Sequence, residues 1–380
     1  MKFSELEARE DFEPLFRCIL FLMEQREIKE ILEATRAAKA DGVRVALATV
    51  VRVRGSAYRR EGAKMLIRED GDYVCMLSGG CLEAEVVAVA VELIESNSAK
   101  VVSYDLSEDA MWGLGIGCGG SVDILIEPLE NNGLLESWLG LLERGELAVA
   151  AVGLDVADFQ RVLVHSDGRL EGITDPVIMQ SIRDIGLEMM ASLYPRAETK
   201  SIDTLRHTSD WFFDTSSPAP ELLIFGAGHD AIPLAAQAVA LGWAVRIVDA
   251  RGAFLNATRF PNCELVLAHT TEFDSRLEVS KRTFAILMNH HLERDTACLE
   301  WILGQDVPYV GVLGPKERFD KMRSSSMGNL AHVRNPIGVD IGAESPNEVA
   351  IAIMAELLAV RRGFKGGLLN GRNGRIHDPV

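Results

Sequence analysis

Two glycine turns in the first third of the chain each carry a cysteine: Ser78-Gly79-Gly80-Cys81, followed by Glu83, and Gly115-Ile116-Gly117-Cys118-Gly119-Gly120. Flanking glycines leave backbone N–H groups open, and Cys81 falls where a helix begins, so partial positive charge there favours the thiolate. Such a thiol offers nucleophilic attack or coordination of a soft metal; the alternative is a small buried side chain beside a turn. Ahead of them, Gly55-Ser56-Ala57-Tyr58-Arg59-Arg60 places two guanidinium groups at a strand end. Arg59 and Arg60 suit bidentate contacts with a phosphate or an acidic pterin-type ring, or else surface salt bridges.

A third constellation lies beyond residue 220. Gly226-Ala227-Gly228-His229-Asp230-Ala231 fits G-x-G-x-x-G/A between a strand and a helix, and Asp249 ends the next strand 23 residues after Gly226. Gly226 permits a tight turn, Gly228 lets a pyrophosphate approach the backbone, and Asp249 suits a ribose hydroxyl. The pattern predicts a nucleotide-like ligand, or a glycine turn retained for packing. His229, Asp249, His269, His290 and Gly314 each follow the end of a predicted strand and so share one sheet edge. A histidine there donates to phosphate, transfers protons, ligates a metal, or simply caps a neighbouring backbone.

The elements that must position these residues follow from periodicity. Helical spacing up to Gly42 predicts a leading helical element over 1–42. Val43 to Val53 is β-branched and apolar, Lys64–Ile67 and Tyr73–Leu77 flank an Asp70-Gly71-Asp72 turn, and a helix is predicted from Leu82 to Ser96. Strands at Val101–Tyr104 and Val122–Ile126 follow, with Leu147–Val152 and Arg161–Val164 extending the same sheet. This predicts a mixed α/β domain over 43–195. The Ser-, Thr-, Asp- and Pro-containing stretch 196–220 reads as a linker. Strands and helices alternate over 221–345, which predicts a Rossmann-like, doubly wound parallel sheet. In the segment 346–380 that follows, Ser345-Pro346-Asn347-Glu348 is a capping box that opens a helix ending near Arg361-Arg362-Gly363.

Composition bounds the class. The 380 residues carry a net charge of −17, with 48% hydrophobic residues, as expected of a globular protein of two or three domains. An acidic chain is a poor partner for nucleic acid or anionic lipid. The amino-terminal segment lacks a basic and apolar export signal, and no apolar run approaches the ~18–20 residues of a membrane helix, so a cytoplasmic protein is expected. Six cysteines without a C-x-x-C pair predict free thiols and no structural zinc.

With these motifs in order, the chain resembles the xanthine dehydrogenase accessory protein (XdhC/CoxI) family from about Val43 to His377. The likeness rests on Gly55 to Arg60 with Gly62-Ala63-Lys64-Met65, on Ser78 to Glu83, and on Gly113 to Gly120 followed by Asp123 and Glu127-Pro128. Further on it rests on Gly226 to His229, Asp249 with Arg251, Met288 to His291, Gly311 to Pro315, and Pro336 to Gly342. Asn289 departs from the Thr or Ser common in that position. The resemblance implies a factor that binds and protects molybdenum cofactor, supports its sulfuration by a cysteine desulfurase, and hands it to an apo molybdenum hydroxylase of the xanthine dehydrogenase type. It implies cofactor delivery rather than turnover. Cys81 and Cys118 are then expected near the molybdenum, and a homodimer is expected. The competing expectation is an NAD(P)-dependent oxidoreductase that binds the dinucleotide through Gly226 to Ala231 and Asp249 and uses His290 or Asp295 in acid–base chemistry. It leaves the cysteine-bearing turns without a role.

Overall fold

The computed structural model describes residues 23–55, 57–106, 120–155, 159–203, 208–323 and 327–370. Residues Glu24–Pro218 form one compact unit, and those from Ala219 onward form the other.

The first unit opens with helix α1 (Met23–Asp41), then strands β1 (Val45–Arg54), β2 (Lys64–Arg68) and β3 (Tyr73–Val74), helix α2 (Glu83–Ser96), and strands β4 (Lys100–Asp105) and β5 (Ser121–Pro128). These strands make an antiparallel sheet in the order β3-β2-β1-β5-β4. Alternate residues of β1 explain the layers: Ala46, Ala48 and Val50 pack under α2, while Val45 and Leu47 join Ile31 and Leu32 of α1. The strand expected over Tyr73–Leu77 ends at Val74, because Cys75 turns the chain with a positive φ of 64°.

Helix α3 (Gly133–Arg144) leads into β6 (Ala148–Gly153), β7 (Arg161–His165), β8 (Leu170–Glu171), helix α4 (Pro176–Ala191), β9 (Glu198–Asp203) and β10 (Thr208–Ser216). Two expectations are corrected here. Leu147–Val152 and Arg161–Val164 do not extend the first sheet; they belong to a second antiparallel sheet ordered β8-β7-β6-β10-β9. The stretch 196–220, expected as a linker, supplies two of its strands, and β10 pairs directly with β6 from Trp211↔Gly153 to Ser216↔Ala148. Three of its polar residues, Ser209, Asp214 and Ser216, are buried. Ser209 accepts from the Trp211 indole (2.9 Å), and Asp214 accepts from the Trp138 indole (3.2 Å) and pairs with Lys64 of β2 (2.7 Å).

The second unit is the doubly wound sheet. Its elements are β11 (Glu221–Phe225), α5 (Ala231–Ala240), β12 (Ala244–Asp249), β13 (Glu264–Leu267), α6 (Phe273–Arg276), β14 (Thr283–Leu287), α7 (Leu292–Leu303), β15 (Tyr309–Val312), α8 (Lys316–Met322), β16 (Val333–Arg334) and α9 (Pro346–Arg362). All six strands are parallel, in the order β13-β12-β11-β14-β15-β16. The order reverses between β11 and β14, the position where such sheets open a crevice. Helices α5 and α9 cover one face, where Leu234 and Ala238 meet Ile353 and Leu357; α7 covers the other through Leu299 and Ile302. The Ser345/Glu348 capping box forms as expected, with Gly363 closing α9 at φ 75°. Among the described residues no helix is long and apolar enough to cross a membrane.

Candidate functional site

The Ser78 turn is built around a buried carboxylate. Glu83, the first residue of α2, is only 2% exposed. Its Oε1 accepts from the amides of Leu77 (3.1 Å) and Ser78 (2.8 Å), and its Oε2 from Ser78 Oγ (2.7 Å) and the Leu82 amide (3.1 Å). Burial pushes this carboxyl upward, but the bonds from the Ser78 hydroxyl and the Ser78 and Leu82 amides prevail and hold it below the usual glutamate range. Ser78 Oγ in turn accepts from the amides of Gly80 and Cys81 at 3.2 Å and of Leu82 at 3.3 Å.

The expectation that this turn holds its N–H groups open to a ligand is not met. The amides of Leu77, Ser78, Gly80, Cys81 and Leu82 are all answered by Ser78 and Glu83, because a serine at the head of such a turn reaches the amides that follow it. Glu83 and Glu85 in the first turn of α2 also oppose the helix-end charge on which an activated thiolate would draw. Cys81 nonetheless stands partly exposed, its Sγ 3.3 Å from Ser78 Oγ, with Gly79 and Gly80 exposed before it. The turn is a rigid thiol mount.

Arg59 is drawn into the fold. Its two terminal nitrogens bond the Glu27 carboxylate of α1 at 2.8 and 2.6 Å, and one also reaches the Met76 carbonyl. The salt-bridging alternative holds for this residue. Arg60 is half-buried and Gly55 turns the chain at φ 77°. Ser56, Gly117, Cys118 and Gly119 lie outside the described residues. Two features here were assigned no role from sequence. Cys75 hangs over α1, its thiol pushed up to about 12 by burial and by the Glu27 and Glu30 carboxylates. Asp123, buried on β5, clamps Arg52 and Arg54 at the end of β1 and accepts from Ser103 (2.7 Å). Burial raises its pKa, and the bonds from Arg54 and Ser103 reverse that and lower it.

A cavity of about 640 Å³ lies elsewhere in this unit, its wall including the buried pair Glu127–Arg161. None of the candidate residues lines it.

In the second unit, Gly226, Gly228, His229, Asp249, His269, His290 and Gly314 do lie at the carboxyl ends of the strands. Gly226 is buried at φ 114°, and a Cβ there would meet the Met288 carbonyl at 2.6 Å, so the turns after β11 and β14 are in direct backbone contact. Asp249 does not present itself to a ribose. It is 2% exposed, and its oxygens accept from the Ala227 amide (2.8 Å), the Arg251 amide (2.8 Å) and the Arg251 side chain at 2.9 and 2.7 Å. Burial pushes this carboxyl up, but the bonds from Arg251 and Ala227 outweigh it and lower its pKa. Asp249 therefore latches the glycine turn to β12.

His290 adopts φ 56°, a left-handed conformation rare for a non-glycine residue, and pairs with Asp230 at 3.1 Å. Its ring carbon Cδ2 lies 3.8 Å from where a Cβ on Gly228 would sit. The preceding Asn289 is anchored by Asp295, whose Oδ1 accepts from the Asn289 amide (3.1 Å) and side chain (2.8 Å) while Oδ2 pairs with Arg318. Asp295 is fully buried, a position that fits a brace better than an acid–base group. The His269 amide donates to Glu272 (2.8 Å), and the Asn335 side chain ties down the Gly314 carbonyl (2.8 Å). Sequence reasoning missed Arg259, which donates to the carbonyls of Phe254 (2.7 Å) and Gly228 (3.4 Å) and stacks on Phe254. It follows Asp249 by ten residues in an irregular loop and belongs to no motif. A small cavity of about 60 Å³ lies beside Asp249, His269, Asn289 and Arg294.

Comparison with known proteins places two family descriptions on the chain: the XdhC and CoxI family over residues 38–105, and the XdhC Rossmann domain over residues 222–357. The chain is 28% identical over 321 residues to a probable xanthine dehydrogenase subunit from Bacillus subtilis, covering 83% of this chain and 93% of that protein. It is 24% identical over 344 residues, 88% of each chain, to the molybdenum cofactor insertion chaperone PaoD of Escherichia coli. A crystal structure described as a xanthine dehydrogenase from Bacillus halodurans superposes with a TM-score of 0.69 at 28% identity, over 87% of this chain and 95% of that one.

Proposed function

The chain belongs to the XdhC and CoxI family, and from that membership we propose that it is a molybdenum cofactor chaperone that binds the cofactor and inserts it into a xanthine dehydrogenase-type hydroxylase. The observation that carries the reading is likeness along nearly the whole chain to a protein named as such an insertion chaperone. The carboxylates Glu83, Asp249 and Asp295 are buried and brace backbone. What they brace is a partly exposed thiol in one unit and a glycine turn flanked by Arg259 and His290 in the other.

In this reading Cys81 and Cys118 stand near the molybdenum or its terminal sulfur, a cysteine desulfurase supplies that sulfur, and two copies of the chain act together in the cytoplasm. The test is retention and transfer. Protein purified from a host that makes the cofactor is oxidised and the released pterin read by fluorescence; a second aliquot reconstitutes the apo-hydroxylase. Pterin should be released by the wild type and reduced in Cys81→Ser and Cys118→Ser. Absence of pterin from the wild type, or full reconstitution by both variants, overturns the reading or its thiol assignment respectively. A light-scattering mass of one chain would remove the dimer.

A further inference from the structure

The turn after β11 differs from a dinucleotide cradle in what lies on it. In such cradles the second glycine leaves a bare face so that a bridging diphosphate can run along the backbone to the helix end. Here a Cβ built on Gly228 would lie 3.8 Å from the His290 ring, so the ring occupies the space beside that face, and the residue at the head of α5 is a carboxylate, Asp230. The two close on each other at 3.1 Å. The ring is not casually placed: its backbone is left-handed, and the residue before it is pinned by the buried Asp295. Arg259 stands 3.4 Å from the Gly228 carbonyl, and among the described residues no carboxylate pairs with it. Arg251, by contrast, is neutralised by Asp249.

We propose that His290 and Arg259 make this turn a seat for one terminal phosphate, and that the Asp230–His290 pair excludes a bridging diphosphate. Arg259 supplies the charge; His290, with Nε2 engaged by Asp230, offers Nδ1–H to a phosphate oxygen in its imidazolium form. The ligand class is a phosphomonoester, and dinucleotides are shut out by the ring, which Asp230 holds over the turn. This deepens the cofactor-carrier reading and rests on it, since it specifies cargo ending in a single phosphate rather than cargo extended by a nucleotide.

The experiment is calorimetric titration of the full chain with inorganic phosphate, pyrophosphate and NAD+. The wild type should bind phosphate more tightly than either competitor. Arg259→Gln should weaken phosphate about tenfold, the loss of one charge-assisted hydrogen bond. The double change Asp230→Ala with His290→Ala should tighten pyrophosphate at least about tenfold by removing a like charge and a steric block. Wild-type binding of NAD+ as tight as phosphate overturns the proposal without any variant, as does an Arg259→Gln protein that binds phosphate normally. Because no pterin is used, loss of the carrier reading in the fluorescence test and loss of the phosphate seat are read separately.

Discussion

Removing the Glu83 carboxylate should loosen the Cys81 turn by an amount that can be worked from its bonds. Glu83→Ala strips acceptors from three amides, those of Leu77, Ser78 and Leu82, and from the Ser78 hydroxyl. Ser78 Oγ still accepts from the Leu82 amide, which leaves the amides of buried Leu77 and Ser78 as orphans. At about 1–3 kcal/mol per buried orphan, offset in part by water entering the gap, the cost is about 3 kcal/mol. Glu83→Gln keeps one carbonyl oxygen for those two amides and turns an NH2 toward Ser78 Oγ and Leu82, so its cost is about 1 kcal/mol. The assay is urea unfolding of the wild type and both variants at pH 7. The pH dependence has a definite sign. A carboxyl whose folded pKa is depressed contributes stability that is present above its unfolded value, near 4.5, and is lost as pH falls through the folded value. The wild type should therefore lose stability below pH 4.5 more steeply than Glu83→Gln. Equal stabilities for all three proteins at pH 7, or parallel acid limbs, would refute the carboxylate as the brace of the turn.

Two further outcomes follow from the packing. Gly226→Ala should cost about 3 kcal/mol or more in thermal unfolding, because the new methyl meets the Met288 carbonyl at 2.6 Å on a backbone at φ 114°. A melting temperature within about 2 °C of the wild type, which for a unit of this size corresponds to about 1 kcal/mol or less, would contradict the direct contact of the two turns. Cys75, whose thiol is pushed up to about 12, should resist iodoacetamide in the folded protein at about pH 8 and react once the chain is unfolded in urea, with mass spectrometry of the peptides as the readout.

What was legible in the sequence is what short-range physics controls. The β11–glycine turn–α5–β12 unit and the capping box of α9 formed as spacing predicted, since each depends on hydrogen bonds and hydrophobic periodicity over a short stretch of chain. The motif order also sufficed to identify the family.

Tertiary structure alone decided where strands pair and which polar groups remain for a ligand. The β10 strand looked like linker because Ser, Thr, Asp and Pro dominate the stretch and flank the short run Trp211-Phe212-Phe213; its partner β6 lies some sixty residues upstream, and only that pairing, with Lys64 and Trp138 to meet Asp214, makes those polar groups compatible with burial. Arg59 stood open between a phosphate contact and a salt bridge until α1 brought Glu27 to it from 32 residues away, and Arg259, which belongs to no motif, gained its place only when the fold set it against Gly228. Sequence spacing determines which groups a turn contains; the competition among distant partners for the same donors and acceptors determines which of them are left free.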